Sequence, residues 1–225
     1  MNKQNISKIE KTIGYVFTDK NLLIQAFTHS SFANENSEAD YERLEFLGDS
    51  ILEALTTYYL YQNFDENEGI LSKMRARVVS APSLCKVIID LGLDKYIRVG
   101  GSVGRSIPDN IIADVFESIV AGIYIDGGID QAKEFVDTKL LKSTDNIRQI
   151  YIALADYKTM LQEYYQSEGK IVKYNAQEIK NGNTIMFEVS LLVDDKVVAT
   201  ATASSKKNAE QSCAKMIIER NGGIL

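Results

Sequence analysis

The sequence predicts two domains: an all-α domain over residues 1–148 and a smaller α+β domain of order α-β-β-β-α over residues 156–225, with a linker at 149–155. Three observations predict this. Before residue 150 the apolar residues recur at helical spacing, as in Ile6, Ile9 and Ile13, and no run alternates cleanly. After residue 170 the period becomes that of a strand, with Ile185, Phe187, Val189 and Leu191 on one face. Between them, residues 142–155 form a junction opened by the polar run Lys142-Ser143-Thr144-Asp145-Asn146. A chain of 225 residues is long enough for two cores.

In order, residues 2–14 predict a first helix and 21–27 a short second one. Thr28-His29-Ser30-Ser31-Phe32 follows; His29 is the only histidine, cannot make a metal site alone, and reads as a structural hydrogen-bonding residue. Residues 34–40 are polar and read as loop. A long helix opens at Tyr41 and runs through Leu60, and 63–69 is an acidic turn. The next helix, with Ser72 as its cap, carries Lys73, Arg75 and Arg77, a face that is either solvated or meant for anions. A further helix over 82–91 ends at Gly92, and Gly100, Gly101 and Gly104 make a flexible basic loop with Arg98 and Arg105. Pro108-Asp109 starts, and Gly127-Gly128 stops, a helix apolar almost all round, which marks it as buried. Residues 129–141 form the last helix of this half.

In the second half a helix covers 157–166 and strands cover 170–180, 184–193 and 196–203. They are joined by turns at Asn181-Gly182-Asn183 and Asp194-Asp195, and a helix over 206–221 closes the pattern. Thr159, Gln162, Glu163 and Gln166 fall on one polar helical face. Lys206 and Lys207 occupy the first turn of the last helix, where cations oppose the helix dipole. A bound phosphate would remove that conflict, since helix N–H groups and lysines converge on one anion; a solvated lysine pair is the alternative.

Hydrophobic content of 45% and charged content of 25% suit a soluble globular protein. The net charge of −6 lies wholly in residues 1–155, because 156–225 carry nine Lys/Arg and nine Asp/Glu. Overall charge therefore neither supports nor excludes a nucleic-acid partner, and local placement must decide. Cys85 and Cys213 lie far apart, with no disulfide or zinc spacing. There is no signal-peptide run and no apolar stretch of membrane-spanning length, so the expected location is cytoplasmic with no membrane contact.

The acids carry the chemistry. At about 100° per residue, Glu42, Glu45 and Asp49 fall within about 60° of arc on the long helix, with Phe46 beside them. Such a stripe destabilises a helix unless solvent or an oxygen-ligated divalent ion relieves it. Asp114 and Glu117 sit at i, i+3 in the apolar helix, with no Lys or Arg between Arg105 and Lys133. Carboxylates there need a proton, a cation or a metal. Facing Glu45 and Asp49, they would complete a four-carboxylate pocket for Mg²⁺.

Glu42-Arg43-Leu44-Glu45-Phe46-Leu47-Gly48-Asp49-Ser50 resembles the signature of ribonuclease III, the double-strand-specific endoribonucleases, and Asp114-Val115-Phe116-Glu117 resembles that family's second acidic motif. The resemblance implies a homodimer that hydrolyses double-stranded RNA with Mg²⁺, or Mn²⁺ as a substitute, leaving 5′-phosphate and 3′-hydroxyl ends on ribosomal and messenger RNA precursors. It implies Glu45, Asp49, Asp114 and Glu117 as metal ligands, Asp49 and Glu117 as catalytic, and Glu42 as a supporting acid at the cleft edge. It places His29 beside the site without making it a ligand, turns Lys73, Arg75 and Arg77 towards phosphate or nearby acids, and puts Phe46 in the dimer interface.

Residues 156–225 are similar to a double-stranded RNA-binding domain. The likeness assigns Thr159, Gln162, Glu163 and Gln166 to a minor groove, Asn181 and Asn183 to the turn that also meets RNA, and Lys206 and Lys207 to phosphates. Three departures stand out: the short Asn181–Asn183 turn in place of Gly-Pro-x-His, Ala201 and Ala203 in place of glycines, and Tyr41 in place of a common asparagine. None is expected to touch a metal ligand. A non-catalytic RNA-binding relative should lack one of the four acids, and all four are present. A nucleotide phosphohydrolase would leave residues 156–225 without a purpose.

Overall fold

The structure, a computed structural model, describes residues 1–104, 106–142, 147, 150–151, 157–181 and 184–220, with the side chains of 180, 181 and 184 outside the description. The chain divides into two compact units, Met1–Leu154 and Ala155–Leu225. No described helix is long and apolar enough to cross a membrane.

The first unit is helical. Helix α1 (Lys3–Ile13) is capped by Asn2, whose side chain accepts from the Asn5 N–H, and ends on Gly14 at φ 86°. Helix α2 (Lys20–Ala26) is capped in the same way by Asp19. Part of the expected loop at 34–40 is instead helix α3 (Ser30–Asn36), because the His29 side chain caps it by accepting from the Ser31 N–H. A cap of this kind leaves no periodic apolar signal in so polar a stretch. Helix α5 (Glu68–Val78) is capped by Asn67, with Ser72 inside it donating to Glu68 Oε1 at 2.8 Å. The expected cap at Ser72 therefore lies five residues past the observed one. Helix α6 (Ala81–Asp90) follows.

The expected flexible basic loop is tied down. Arg98 makes two hydrogen bonds to Glu38, at 2.6 and 2.8 Å, and stacks over the Phe32 ring. Gly100 and Gly101 donate their N–H groups to Ser31 Oγ and Glu35 Oε1. Arg105 lies outside the described residues.

At the centre, helix α4 (Glu42–Asn63) packs along helix α7 (Asp109–Gly127). Leu44, Leu52, Leu55 and Leu60 from α4 meet the buried apolar run of α7 from Ile111 to Ile123 in one core. Helix α8 (Ile129–Val136) continues as a π turn over Asp137–Leu141, where the Lys142 N–H reaches the Asp137 carbonyl. Ile147 and Ile150 join the same core, and Tyr151 bonds Glu66. The rest of the expected linker at 149–155 lies outside the described residues.

The second unit has helix α9 (Tyr157–Ser167), an antiparallel sheet of order β1 (Val172–Asn181), β2 (Thr184–Val193) and β3 (Lys196–Ala203), and helix α10 (Lys206–Arg220). Val193 pairs with Lys196 across Asp194 and Asp195, both at positive φ (48° and 62°). That is the backbone of a two-residue hairpin whose twist matches the strands. Asn181 pairs with Thr184, which brackets the other hairpin. Val189 and Leu191 face Leu161 from α9 and Cys213, Ala214 and Ile217 from α10 in a second core. Ala201 is buried in it, so the methyl that replaces a glycine hydrogen is used as packing. Both cysteines are buried and unpaired.

Candidate metal centre

The site exists because α4 and α7 touch backbone to backbone at Gly48. A Cβ built there would stand 1.9 Å from the Glu117 carbonyl oxygen, so no residue but glycine permits this approach. The approach brings carboxylate oxygens of Glu45, Asp114 and Glu117 within 4.8 Å of one another, each residue half-buried. Three of the four expected ligands thus meet. Asp49 is exposed and stands outside that group, one turn of α4 beyond Glu45. It nonetheless leads the charges that act on Glu117.

Burial and mutual repulsion hold these acids towards their protonated forms. Glu117 is pushed up to about 8, first by desolvation and then by Asp49, Asp114, Glu45 and Glu53. Glu45 is raised by desolvation, then by Asp114, Glu42 and Asp49. Asp114 is raised by desolvation, against the Tyr41 hydrogen bond and the charge of His29. Glu42 is exposed and acts on the cluster only as a neighbouring charge. A half-buried set of three oxygen donors that resist ionisation fits a hard divalent cation, which would supply the missing counter-charge.

Tyr41 is the residue that the sequence reading placed wrongly. It is 2% exposed, and its hydroxyl donates to Asp114 Oδ2 at 3.1 Å. The expectation that this departure touches none of the expected ligands is corrected: it touches Asp114 directly. Its position just before the acidic stripe gave no periodic sign that the ring turns inwards. His29 packs edge-on to Tyr41, with ring centroids 5.7 Å apart, and its Nδ1 is engaged by Ser31. It lies outside the ligand cluster. Gly48 carried a readable signal, a glycine inside a strongly helical run, which the sequence reading passed over.

The remaining expected residues sit as follows. Phe46 is 79% exposed on α4, and Tyr61 77% exposed further along the same helix. Beside Tyr61 a cavity of about 730 Å³ opens between α4 and α5, lined by Thr57, Leu60, Phe64, Leu71 and Arg75. Arg75 donates to Thr57 Oγ1, while Lys73 and Arg77 are exposed. In the second unit Thr159, Gln162, Glu163 and Gln166 are all exposed on α9. Lys206 and Lys207 are exposed in the first turn of α10, and among the described residues neither is in an ion pair. Lys158, by contrast, is held by Glu210 at 2.8 Å. Asn183 and the side chain of Asn181 lie outside the description.

Comparison with known proteins agrees with this geometry in both units. Residues 19–144 match the family model described as Ribonuclease-III-like, and residues 157–221 match that of the double-stranded RNA binding motif. The chain is 39% identical over 227 residues to Ribonuclease 3 of Clostridium perfringens, covering 98% of this chain and 95% of that protein. It is 37% identical to Ribonuclease 3 of Caldanaerobacter subterraneus, covering 96% and 98%. Among solved structures, the nuclease domain of a Campylobacter jejuni ribonuclease III, described with a flexible region involved in dimer formation, superposes with a TM-score of 0.57 at 36% identity, over 61% of this chain and 96% of that one.

Proposed function

The chain belongs to the ribonuclease III family, and on that premise we propose that it is a Mg²⁺-dependent homodimeric endonuclease of double-stranded RNA. Mn²⁺ serves as a substitute, and the action is cytoplasmic, on ribosomal and messenger RNA precursors. The observation that carries this reading is the convergence of Glu45, Asp114 and Glu117 from two helices, with Glu117 held near neutral pH against ionisation. Glu45, Asp49, Asp114 and Glu117 would hold the metal, Asp49 from the exposed face of α4. When bound, a pair of divalent ions would supply an activated water and a counter-charge for the departing 3′ oxygen, and the expected products carry a 5′-phosphate and a 3′-hydroxyl. The protein contributes position: the Gly48 contact sets the spacing of the two acidic helices, and Glu42 adds negative charge at the edge.

Residues 156–225, joined by the linker at 149–155, bind the duplex. The α9 face of Thr159, Gln162, Glu163 and Gln166 meets the minor groove, Asn181 and Asn183 also contact the RNA, and Lys206 and Lys207 meet phosphates. The dimer forms through Phe46. A two-fold interface needs one patch that carries both a projection and a hollow. The exposed Phe46 and the cavity between α4 and α5 provide both on one side of α4.

The test is a long RNA duplex incubated with Mg²⁺ or chelator, against single-stranded RNA and duplex DNA, with Glu117→Gln beside the unaltered chain. The variant keeps shape and loses one charged ligand. It should bind duplex unchanged and cut it at least about a thousandfold more slowly. Cleavage near the unaltered rate would remove Glu117 from the site. A wild-type chain that binds duplex and never cuts it would make the protein a non-catalytic relative.

A further inference from the structure

We infer that Tyr41 is a positioning residue of the metal centre: its buried phenol donates to Asp114 Oδ2 and so fixes the carboxylate that joins Glu45 and Glu117 around a divalent ion. The inference rests on the metal reading of the site given above.

Tyr41 is the residue at the N-terminal cap of α4, yet its side chain makes no capping bond. The hydroxyl instead crosses to α7 and meets an aspartate 73 positions away in sequence. Everything else about the residue holds the ring still. Its N–H donates to the Thr28 carbonyl at 2.9 Å, its carbonyl accepts from the Glu45 N–H at 2.8 Å, and the His29 ring packs against its own. One residue therefore references both Asp114, through its phenol, and the first turn of Glu45's helix, through its carbonyl.

The chemistry of the donor matters as much as its place. A lysine or arginine at this point would satisfy Asp114 and also neutralise it, competing with a divalent ion for the same charge. A neutral O–H restrains one oxygen, leaves the carboxylate its full charge and leaves the second oxygen for coordination. Partners of this kind, which orient a ligand without touching the metal, change metal affinity by about 10–100-fold when removed.

The experiment is Tyr41→Phe, which removes one oxygen and keeps the ring. Mn²⁺ binding is measured by calorimetry on the full chain without RNA, and cleavage is measured across a Mn²⁺ series. The expected result is a dissociation constant for Mn²⁺ raised at least about tenfold, with a maximal rate at saturating Mn²⁺ within about threefold of the unaltered chain. A purely structural role would lower the cleavage rate by one factor at every Mn²⁺ concentration, saturation included, and leave the Mn²⁺ constant where it was. Either an unchanged constant or that pattern overturns the inference. Should Tyr41→Phe fail to fold, the unaltered chain answers the question when labelled with ¹³C at Cζ of its 12 tyrosines. One phenol signal must move on Mg²⁺ titration and stay still in Asp114→Asn. The absence of such a signal overturns the inference as well. An unaltered chain that binds no Mn²⁺ at all would instead overturn the metal reading itself.

Discussion

Adding a single methyl group to Gly48 tests whether the approach of two helices makes the active site. In Gly48→Ala the new carbon would stand 1.9 Å from the Glu117 carbonyl oxygen, 2.5 Å from its carbonyl carbon and 3.2 Å from its Cα. These are backbone atoms in the middle of a buried helix, so no side chain can swing aside. A tolerable carbon–oxygen contact is about 3.3 Å, which requires α4 and α7 to part locally by about 1.4 Å. Overpacking of that kind destabilises by about 1–3 kcal/mol, or a fall of about 2–12 °C in the melting midpoint for a protein of this size. The larger consequence is at the acids, because the residue pushed away is Glu117 itself and Glu45 is one turn from the methyl. A displacement of about 1 Å of a reacting group lowers the rate about a hundredfold. The assay is thermal unfolding and single-turnover cleavage of an RNA duplex on the same preparation. Gly101→Ala is the control, since the nearest atom to its Cβ would be Glu35 Oε1 at 3.9 Å. A Gly48→Ala protein that melts and cuts like the unaltered chain would refute the argument that this contact sets the acid spacing.

Three further outcomes are expected. Phe46→Asp should yield mostly monomer by sedimentation, because the projection becomes a charge that would be buried unpaired in the interface; an undisturbed dimer would remove Phe46 from it. Lys206→Ala with Lys207→Ala should weaken duplex binding for all sequences alike and reduce the salt slope by roughly one to two contacts, and an unchanged slope would leave the lysines merely solvated. In chelator, thermal stability should fall as pH rises from about 4.5 towards about 8, because Glu117 holds its proton more tightly folded than unfolded and that advantage disappears as pH passes the folded value. Mg²⁺ should restore stability at pH 8 and have little effect at pH 5, and a Mg²⁺ effect equal at both would argue against binding at these acids.

The sequence alone determined most of the secondary structure, since helical and alternating apolar spacing are properties of the local chain. It also determined the Asp194-Asp195 hairpin, the buried character of α7, and the acidic residues on α4 and α7 that could hold a metal. Its errors in the first unit fell where a polar side chain, and not periodicity, fixes an element. His29 starts α3, Asn67 rather than Ser72 caps α5, and Glu38 with Phe32 immobilises Arg98. Only the tertiary structure decided which acids converge. Gly48 lets α4 sink onto the backbone at Glu117, Tyr41 turns inwards to Asp114, and Glu45, Asp114 and Glu117 stand together while Asp49 stays on the exposed side. The physical reason is that periodicity assigns a side chain to an arc of its own helix. The distance between two arcs, here joining residues some seventy positions apart, depends on how closely the backbones pack, and in this site the missing methyl group of Gly48 permits the close approach.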